Sequence, residues 1–341
     1  MYNKLLTIVI PCYNSQDYMD KAIRSVIGGG KQVEILIIDD GSTDNTAIIA
    51  DDYAEDYPGI VRVIHKNNAG HGSAVNAGIK EAKGKYIKVL DSDDWFEKSA
   101  YKTYLNTLRA LEKSRTSVDM FITNFVYEKP SENHTRRMIF SVLFPKNKVI
   151  TWKDMKHNVK GFQILMHAVT YRTKLLREIG LQLPLNTFYV DNLFVYEPFP
   201  YVKRIYYLDV DLYRYYIGRE GQSITESTMV RRLDQQLAVN YRMIDDFDLF
   251  KDVKEKHLRR YMLGYLEMIT VISTSLAHVS KDKVNYDKAK KLWRYIYDKD
   301  KRLYYNIRFG IFGQAVAKPG PIGRFISVQC YHLTQWFMRF N

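Results

Sequence analysis

The sequence predicts an α/β protein: a mostly parallel sheet flanked by helices, extended at its C-terminal end by an α-helical region. Three observations carry that expectation. Short apolar runs rich in β-branched residues fall at 5–10, 33–38, 60–64 and 86–90; near-continuous runs of this length are typical of strands covered on both faces of a parallel sheet. Helical spacing separates each run from the next, and β-α-β alternation implies a doubly wound sheet. After about residue 225 the helical period persists. The 341 residues therefore divide into an α/β domain over 1–225 and a helical, basic, aromatic-rich region over 226–341.

The first helix is expected over 17–27, where Tyr18, Ala22, Ile23 and Val26 share a face. The second spans 44–53 and carries Ala47, Ile48 and Ala50, with Ser42 or Thr43 as N-cap. The third spans 73–83, with Val75, Ile79 and Ala82 inward and Gly84 as the stop. Tyr101, Tyr104, Leu105, Leu108 and Leu111 predict a helix over 99–114. Residues 119–127 read as a strand, 128–137 with Pro130 as a turn or hairpin loop, 137–144 as another strand, and 151–158 as a short helix. Residues 166–170 lead into a helical turn at 174–179, the run 188–193 begins a helix that continues towards Tyr196, and 206–216 read as strand. Helices then follow at 228–246, 253–279 and 286–298, with a last amphipathic piece at 322–340 after Lys318-Pro319-Gly320-Pro321.

Open sheets of this kind bind ligands beyond the carboxyl ends of their strands. Those ends carry Tyr13, Asp39, Asp40, His65 and the run Asp91-Ser92-Asp93-Asp94. If strand geometry continues past Leu90, Asp91 and Asp93 present two carboxylates to one side. Two hard oxygen ligands suit a divalent cation that keeps waters and also binds phosphate. An acidic loop after a strand is common by itself; several polar strand ends together point to a nucleotide-and-metal site. Asn68, Gly70, His71, Gly72, Ser73 and Asn76 form a glycine-bearing loop into a helix, whose first N–H groups favour anions. His71 is then a donor contact or, more plainly, an exposed turn residue.

The stretches TIVIPCYNSQDYMDKAIRSV, VEILIIDDGSTDNT and NNAGHGSAVNAGIKEAKGKYIKVLDSDDWF resemble the inverting family 2 glycosyltransferases with the GT-A fold. The likeness is dense over residues 5–100 and thinner to about 225. It implies metal-dependent transfer of a sugar from a nucleotide donor, expected to be UDP-linked, to a saccharide or lipid-linked saccharide in cell-envelope or exopolysaccharide synthesis. It implies that Pro11 and Tyr13 pack on the base, whose π-face suits an aromatic, and that Asp40 accepts a base N–H. It implies that Asp91 contacts the ribose or a metal-bound water, and that Asp93, with Asp91, ligates Mn²⁺ or Mg²⁺ at the diphosphate. Plainer readings stand beside these: Tyr13 as a capping tyrosine, Asp40 as an anion at a helix N-terminus. The family's acidic pair ahead of a helix reads Val190-Asp191 here, so its first member is missing. Asp191 is the candidate general base, with a helix N-cap as the alternative. Arg219 and Ser223, with Arg214 and Gln222 in YRYYIGREGQSIT, resemble a mobile diphosphate segment.

The net charge of +13 is concentrated late: residues 281–341 hold thirteen Lys and Arg against four Asp, among many aromatics. Such a segment suits an anionic membrane surface, with a solvated helical face as the plain alternative. No nucleic-acid module is visible. Two cysteines without metal-type spacing suit a reducing cytosol. No signal peptide or spanning stretch is read, and the nearest candidate, 263–277, is short and contains Glu267. The expected location is cytoplasmic, peripheral at the inner face of the cell membrane. A nucleotidyltransferase would need a glycine-rich basic loop at 11–16, and a dinucleotide oxidoreductase a G-x-G-x-x-G there; neither is present. A processive synthase is disfavoured by the lack of Q-x-x-R-W, and a degraded scaffold by the acids at 40, 91, 93 and 191.

Overall fold

The computed structural model describes residues 4–129, 134–156, 161–218, 225–318 and 320–338. It opens with β1 (Lys4–Cys12), α1 (Met19–Val26), β2 (Val33–Asp39), α2 (Thr46–Asp56), β3 (Val61–His65), α3 (His71–Glu81) and β4 (Gly84–Val89). There follow β5 (Trp95–Phe96), α4 (Lys98–Lys113), β6 (Met120–Lys129), β7 (His134–Met138), β8 (Val149–Ile150), β9 (Val169–Arg172), α5 (Thr173–Glu178), α6 (Asp191–Tyr196) and β10 (Ile205–Tyr216). The rest is helical: α7 (Glu226–Arg231), α8 (Leu233–Asp245), α9 (Lys256–Val279), α10 (Lys283–Lys299), α11 (Lys301–Arg308), α12 (Gly313–Ala317) and α13 (Gly320–Met338). The chain forms two compact units, Met1–His157 with Ile164–Ile217, and Asn158–Gln163 with Gly218–Asn341.

All ten strands belong to one sheet in the order β3-β2-β1-β4-β9-β6-β10-β5, with β7 on β6 and β8 on β10. β1, β2 and β4 are almost wholly buried, which is why their sequences run apolar without alternation. β3, β2, β1 and β4 are mutually parallel, and their register sets Cys12 beside Asp39 and Asp39 beside His65. The loops carrying the candidate residues therefore leave from one edge. β9 then runs antiparallel between β4 and β6, and β10 pairs with β6 in parallel.

Several local expectations need correction. The strand expected at 137–144 ends at Met138; Asn124 Oδ1 accepts the Phe140 N–H and a 3₁₀ turn (Phe140–Val142) sends Phe140, Leu143 and Phe144 into the core. Of the helix expected at 151–158, the described residues hold a 3₁₀ turn, Trp152–Asp154, closed by a Thr151–Asp154 capping box, and 157–158 lie outside them. The N-cap of α2 is Asn45, because Ser42 and Thr43 are held by the backbone N–H and side chain of Asn14. The single helix at 228–246 is two, broken at Arg232. β9 replaces a segment read only as the approach to a helical turn.

In the second unit, α9 has α7, α8, α10, α11, α12 and α13 packed against it. By length and composition alone α9 could cross a bilayer, contrary to the expectation from 263–277, but 61% of its apolar window is buried.

Candidate active site

The strand-end residues fall into two groups. Around β2 and β3, Asp39 accepts the Ser42 N–H at 3.0 Å and lies 3.0 Å from His65 Nδ1, while His65 Nε2 is 3.0 Å from Asp51. Asp40 is buried and faces inward: its carboxylate takes the Gly70 N–H at 2.7 Å, the Ala69 N–H at 3.2 Å and the Lys66 ammonium. It locks the loop that enters α3. Pro11 is buried in β1, whereas Tyr13 is 53% exposed beside Asn14, which adopts a left-handed φ of 48°.

The second group surrounds Asp91. The chain leaves extended geometry after Val89, and Asp94 N–H closes a turn on the Asp91 carbonyl at 3.0 Å. The alternation argument that pairs Asp91 with Asp93 thus does not apply. Among the described residues, the donor atoms of Asp91, Asp94 and His167 lie within 4.8 Å of one another. Asp93, half-buried on the same turn, is outside that set. His71 Nε2 lies 3.0 Å from Asp91 Oδ1, and His167 Nε2 is 3.6 Å from Asp91 Oδ2. Tyr213 Oη accepts the Asp91 N–H at 3.1 Å and donates to Asp94 at 2.6 Å. Tyr215 stacks on His167 with ring centroids 4.3 Å apart. The Ser15 and Ser92 hydroxyls, 2.8 Å apart, tie this turn to the end of β1.

Electrostatics follow from this packing. Burial works against Asp91, yet the hydrogen bonds and charges of His167 and His71 hold its carboxyl far below the usual carboxylate range. Burial likewise opposes a charge on His71, but Asp91 first, then Asp191 and Asp93, raise its pKa. Asp94 is pushed well up by burial and by the charges of Asp93 and Asp91. Burial also raises Asp191, while His167 and His71 pull it back and Asp91 adds to the rise. Asp191 is therefore within electrostatic reach of the Asp91 group although it lies a hundred residues further along.

The segment that delivers Asp191 explains the glycines before α3. Gly70 and Gly72 admit the backbone of 183–190: a Cβ on Gly72 would stand 2.6 Å from the Pro184 carbonyl oxygen, and one on Gly70 would stand 3.2 Å from Asn186. Asn76 exchanges hydrogen bonds with Leu183 at 2.8 and 2.9 Å, and Asn186 N–H binds the Ala69 carbonyl at 2.7 Å. Two residues before Asp191, Tyr189 adopts φ 65°, a left-handed conformation uncommon for an aromatic. Asp191 is the first residue of α6, and its backbone neighbour Val190 is buried against Gly72.

Two carboxylates and an imidazole form a mixed O/N donor set that fits a divalent cation such as Mn²⁺. His167 Nδ1 is buried without a hydrogen-bond partner. The reading from sequence missed His167, Tyr213 and Lys88. Lys88 is fully buried and donates to the carbonyls of His167 at 2.9 Å and Val169 at 3.1 Å. A charge inside an unbroken apolar run was the legible sign of it. Arg214 is paired with Glu128 at 2.7 Å rather than free for phosphate. Arg219, Gln222 and Ser223 lie outside the described residues.

A sheet whose parallel half ends in an acidic turn, with helices on both sides, is the GT-A arrangement, and the family follows from direct comparison. Residues 7–174 match glycosyl transferase family 2. An uncharacterized glycosyltransferase of Mycoplasma pneumoniae (MG025 homolog) is 31% identical over 66% of this chain and 71% of its own length. This chain belongs to the family 2 glycosyltransferases. The minor teichoic acid biosynthesis protein GgaB of Bacillus subtilis is 31% identical over 41% of this chain and 16% of its own. Among solved structures, residues 1–349 of TarS from S. aureus, in complex with UDP-GlcNAc, superpose with a TM-score of 0.52 at 18% identity, covering 85% of this chain and 92% of that one. At that identity the likeness concerns the fold.

Proposed function

We propose that this glycosyltransferase is inverting and metal-dependent, and moves one sugar from a UDP-linked donor to a saccharide or lipid-linked saccharide of the cell envelope. The observation that carries the reading is the convergence of Asp91, His71 and His167 at the carboxyl end of the parallel strands, with the segment bearing Asp191 packed on Gly72 beside His71. The acidic turn, through Asp91 with Asp94 or Asp93, and His167 would hold Mn²⁺ or Mg²⁺, which when bound offsets the charge that grows on a leaving diphosphate. Exposed Tyr13, beside Pro11, offers a face to the base. Asp40 serves the donor at one remove, by fixing the loop that presents His71; His71, at the first turn of α3, then offers a donor to a phosphate oxygen. Arg219 and Ser223 are proposed to close on the diphosphate.

In the transfer step the acceptor oxygen forms a bond to the anomeric carbon as the bond to the diphosphate breaks. Asp191 takes the acceptor's proton. Burial raises its pKa, which makes it a stronger proton acceptor than an exposed aspartate. The GgaB relationship and the UDP-GlcNAc in TarS support an envelope product and a UDP donor. The basic C-terminal region is proposed to meet the cytoplasmic face of the membrane, where a lipid-linked acceptor would lie.

The test is Asp191→Asn in the full chain, with donor binding followed by calorimetry using UDP and Mn²⁺ and transfer followed by UDP release. Transfer is expected to fall by about 10²–10⁴-fold while UDP still binds. Undiminished transfer would remove Asp191 from the mechanism. A scaffold that has lost catalysis would show no turnover in the parent with any nucleotide sugar.

A further inference from the structure

The last helix of the second unit turns its apolar side outward. On α13 the buried positions are small: Gly323 and Ser327 face inward, and Ser327 Oγ lies 3.2 Å from Ser275 Oγ on α9. Three large apolar side chains point away, Ile322 75%, Phe325 65% and Leu333 62% exposed, while Ile326 and Val328 are half-buried. Offsets of three and eleven from Ile322 place all three on one helical face. A surface helix of a water-soluble protein ordinarily sets that face on the core. Close packing through small residues, with large apolar groups outside, is the habit of helices in apolar surroundings.

The connection before α12 repeats the pattern. Phe309 is 65% exposed and Ile311 68%, and Tyr305 stacks on Phe309 with centroids 6.0 Å apart. Single exposed apolar side chains are ordinary, but this many in one short stretch mark a contact surface. The charge identifies what it contacts. From residue 301 to the end there are six Lys and Arg and no Asp or Glu, and Lys301, Arg302 and Lys318 are exposed. The nearby acids are few, Glu226 paired with His332 on α13 and Asp298 and Asp300 just before Lys301, and an apolar face in a net basic setting is complementary to anionic headgroups over acyl chains.

We propose that Phe309, Ile311, Ile322, Phe325 and Leu333 enter the headgroup–acyl boundary of an anionic phospholipid bilayer, with Lys301, Arg302 and Lys318 at the phosphates. This deepens the membrane contact proposed above by naming the side chains that insert, and it does not depend on the transfer chemistry.

Flotation of the full chain with phosphatidylcholine vesicles, with and without about 30% phosphatidylglycerol, tests it. Binding is expected to the anionic vesicles and to be at least about tenfold weaker without phosphatidylglycerol. The triple variant Ile322→Ser, Phe325→Ser, Leu333→Ser is expected to lose at least about tenfold in vesicle affinity, with parental circular dichroism. A parent that ignores anionic vesicles, or a folded triple variant that binds as the parent does, overturns the proposal. So does a parental dimer that the triple substitution splits without any vesicle binding, because the face would then belong to a second copy. Should the triple variant not fold, Phe325→Trp in the otherwise parental chain decides: added emission quenched by brominated lipid supports insertion, and unquenched emission refutes it. UDP binding measured on the same preparations reports separately on the transferase reading.

Discussion

Replacing Gly72 by alanine asks whether the candidate base is positioned by close backbone contact. The new Cβ would lie 2.6 Å from the Pro184 carbonyl oxygen, 3.2 Å from Leu183 Cβ and 3.3 Å from Val190 Cγ2. Ordinary contact starts at 3.4 Å, so the carbonyl stands about 0.8 Å too close. It is backbone, and it is tied on either side by the Asn76–Leu183 pair and by Asn186 N–H on Ala69. The displacement therefore passes along the segment to Val190 and Asp191. Overpacking of this kind costs about 1–3 kcal/mol, and moving a reacting group by about 1 Å can cost on the order of 10²-fold in rate. Gly72→Ala is expected to lower kcat about a hundredfold at saturating donor and to lower the urea midpoint by the equivalent of about 1–3 kcal/mol. UDP affinity should stay within about threefold, because the loss falls on the transition state. Gly28→Ala, whose Cβ would meet nothing within 4 Å, is the neutral control. A Gly72→Ala enzyme with parental rate and stability would refute the positioning argument.

Two further predictions concern the Asp91 group. Tyr213→Phe strips the partner from both the Asp91 N–H and the Asp94 carboxyl in a fully buried place; a loss of about 1–3 kcal/mol is expected in urea titration, and an unchanged midpoint would mean that water fills the gap. Burial pushes Lys88 down to about 7 from an ordinary 10.5. Between those values the unfolded chain binds the more protons, so parental stability should rise with pH relative to Lys88→Met. Unfolding free energies of both proteins at about pH 6.5 and about pH 9 test this, and a gap that stays constant with pH would contradict it.

β1 to β4 and the helices between them are legible in the sequence for a physical reason. β1, β2 and β4 are buried on both faces and cannot alternate, so they appear as apolar runs; β3, at the sheet's edge with only Val61 buried, shows the same β-branched composition, and the helices covering them need only one apolar side. β9 is not legible, because its residues include Thr170, whose hydroxyl is satisfied by Tyr104 Oη at 2.9 Å from a distant helix. The break at Arg232 is equally hidden, since a one-residue interruption hardly disturbs the helical period of 228–246. The turn at 91–94 defeats the alternation rule because nothing in Asp91-Ser92-Asp93-Asp94 by itself tells a continuing strand from a tight turn.

The glycines and Lys88 show where the candidate site is written more deeply than its acids. Gly70 and Gly72 look like an anion cradle, and a helix start does favour anions. Their missing Cβ atoms are nevertheless filled by the backbone of 183–190, so the same residues that can face a phosphate also dock the segment bearing Asp191. Lys88 works the same way. A cation in a strand covered on both faces needs acceptors that its own strand cannot supply. β4 and β9 pair only at Tyr86–Arg172 and Ile87–Tyr171, and beyond that point the Lys88 ammonium binds the carbonyls of His167 and Val169 in place of further ladder bonds. The charge that looks out of place in the fourth apolar run is thus what ties the chain next to His167, and through it His167 reaches Asp91. A buried charge without a neighbour in sequence is an instruction about a neighbour in space.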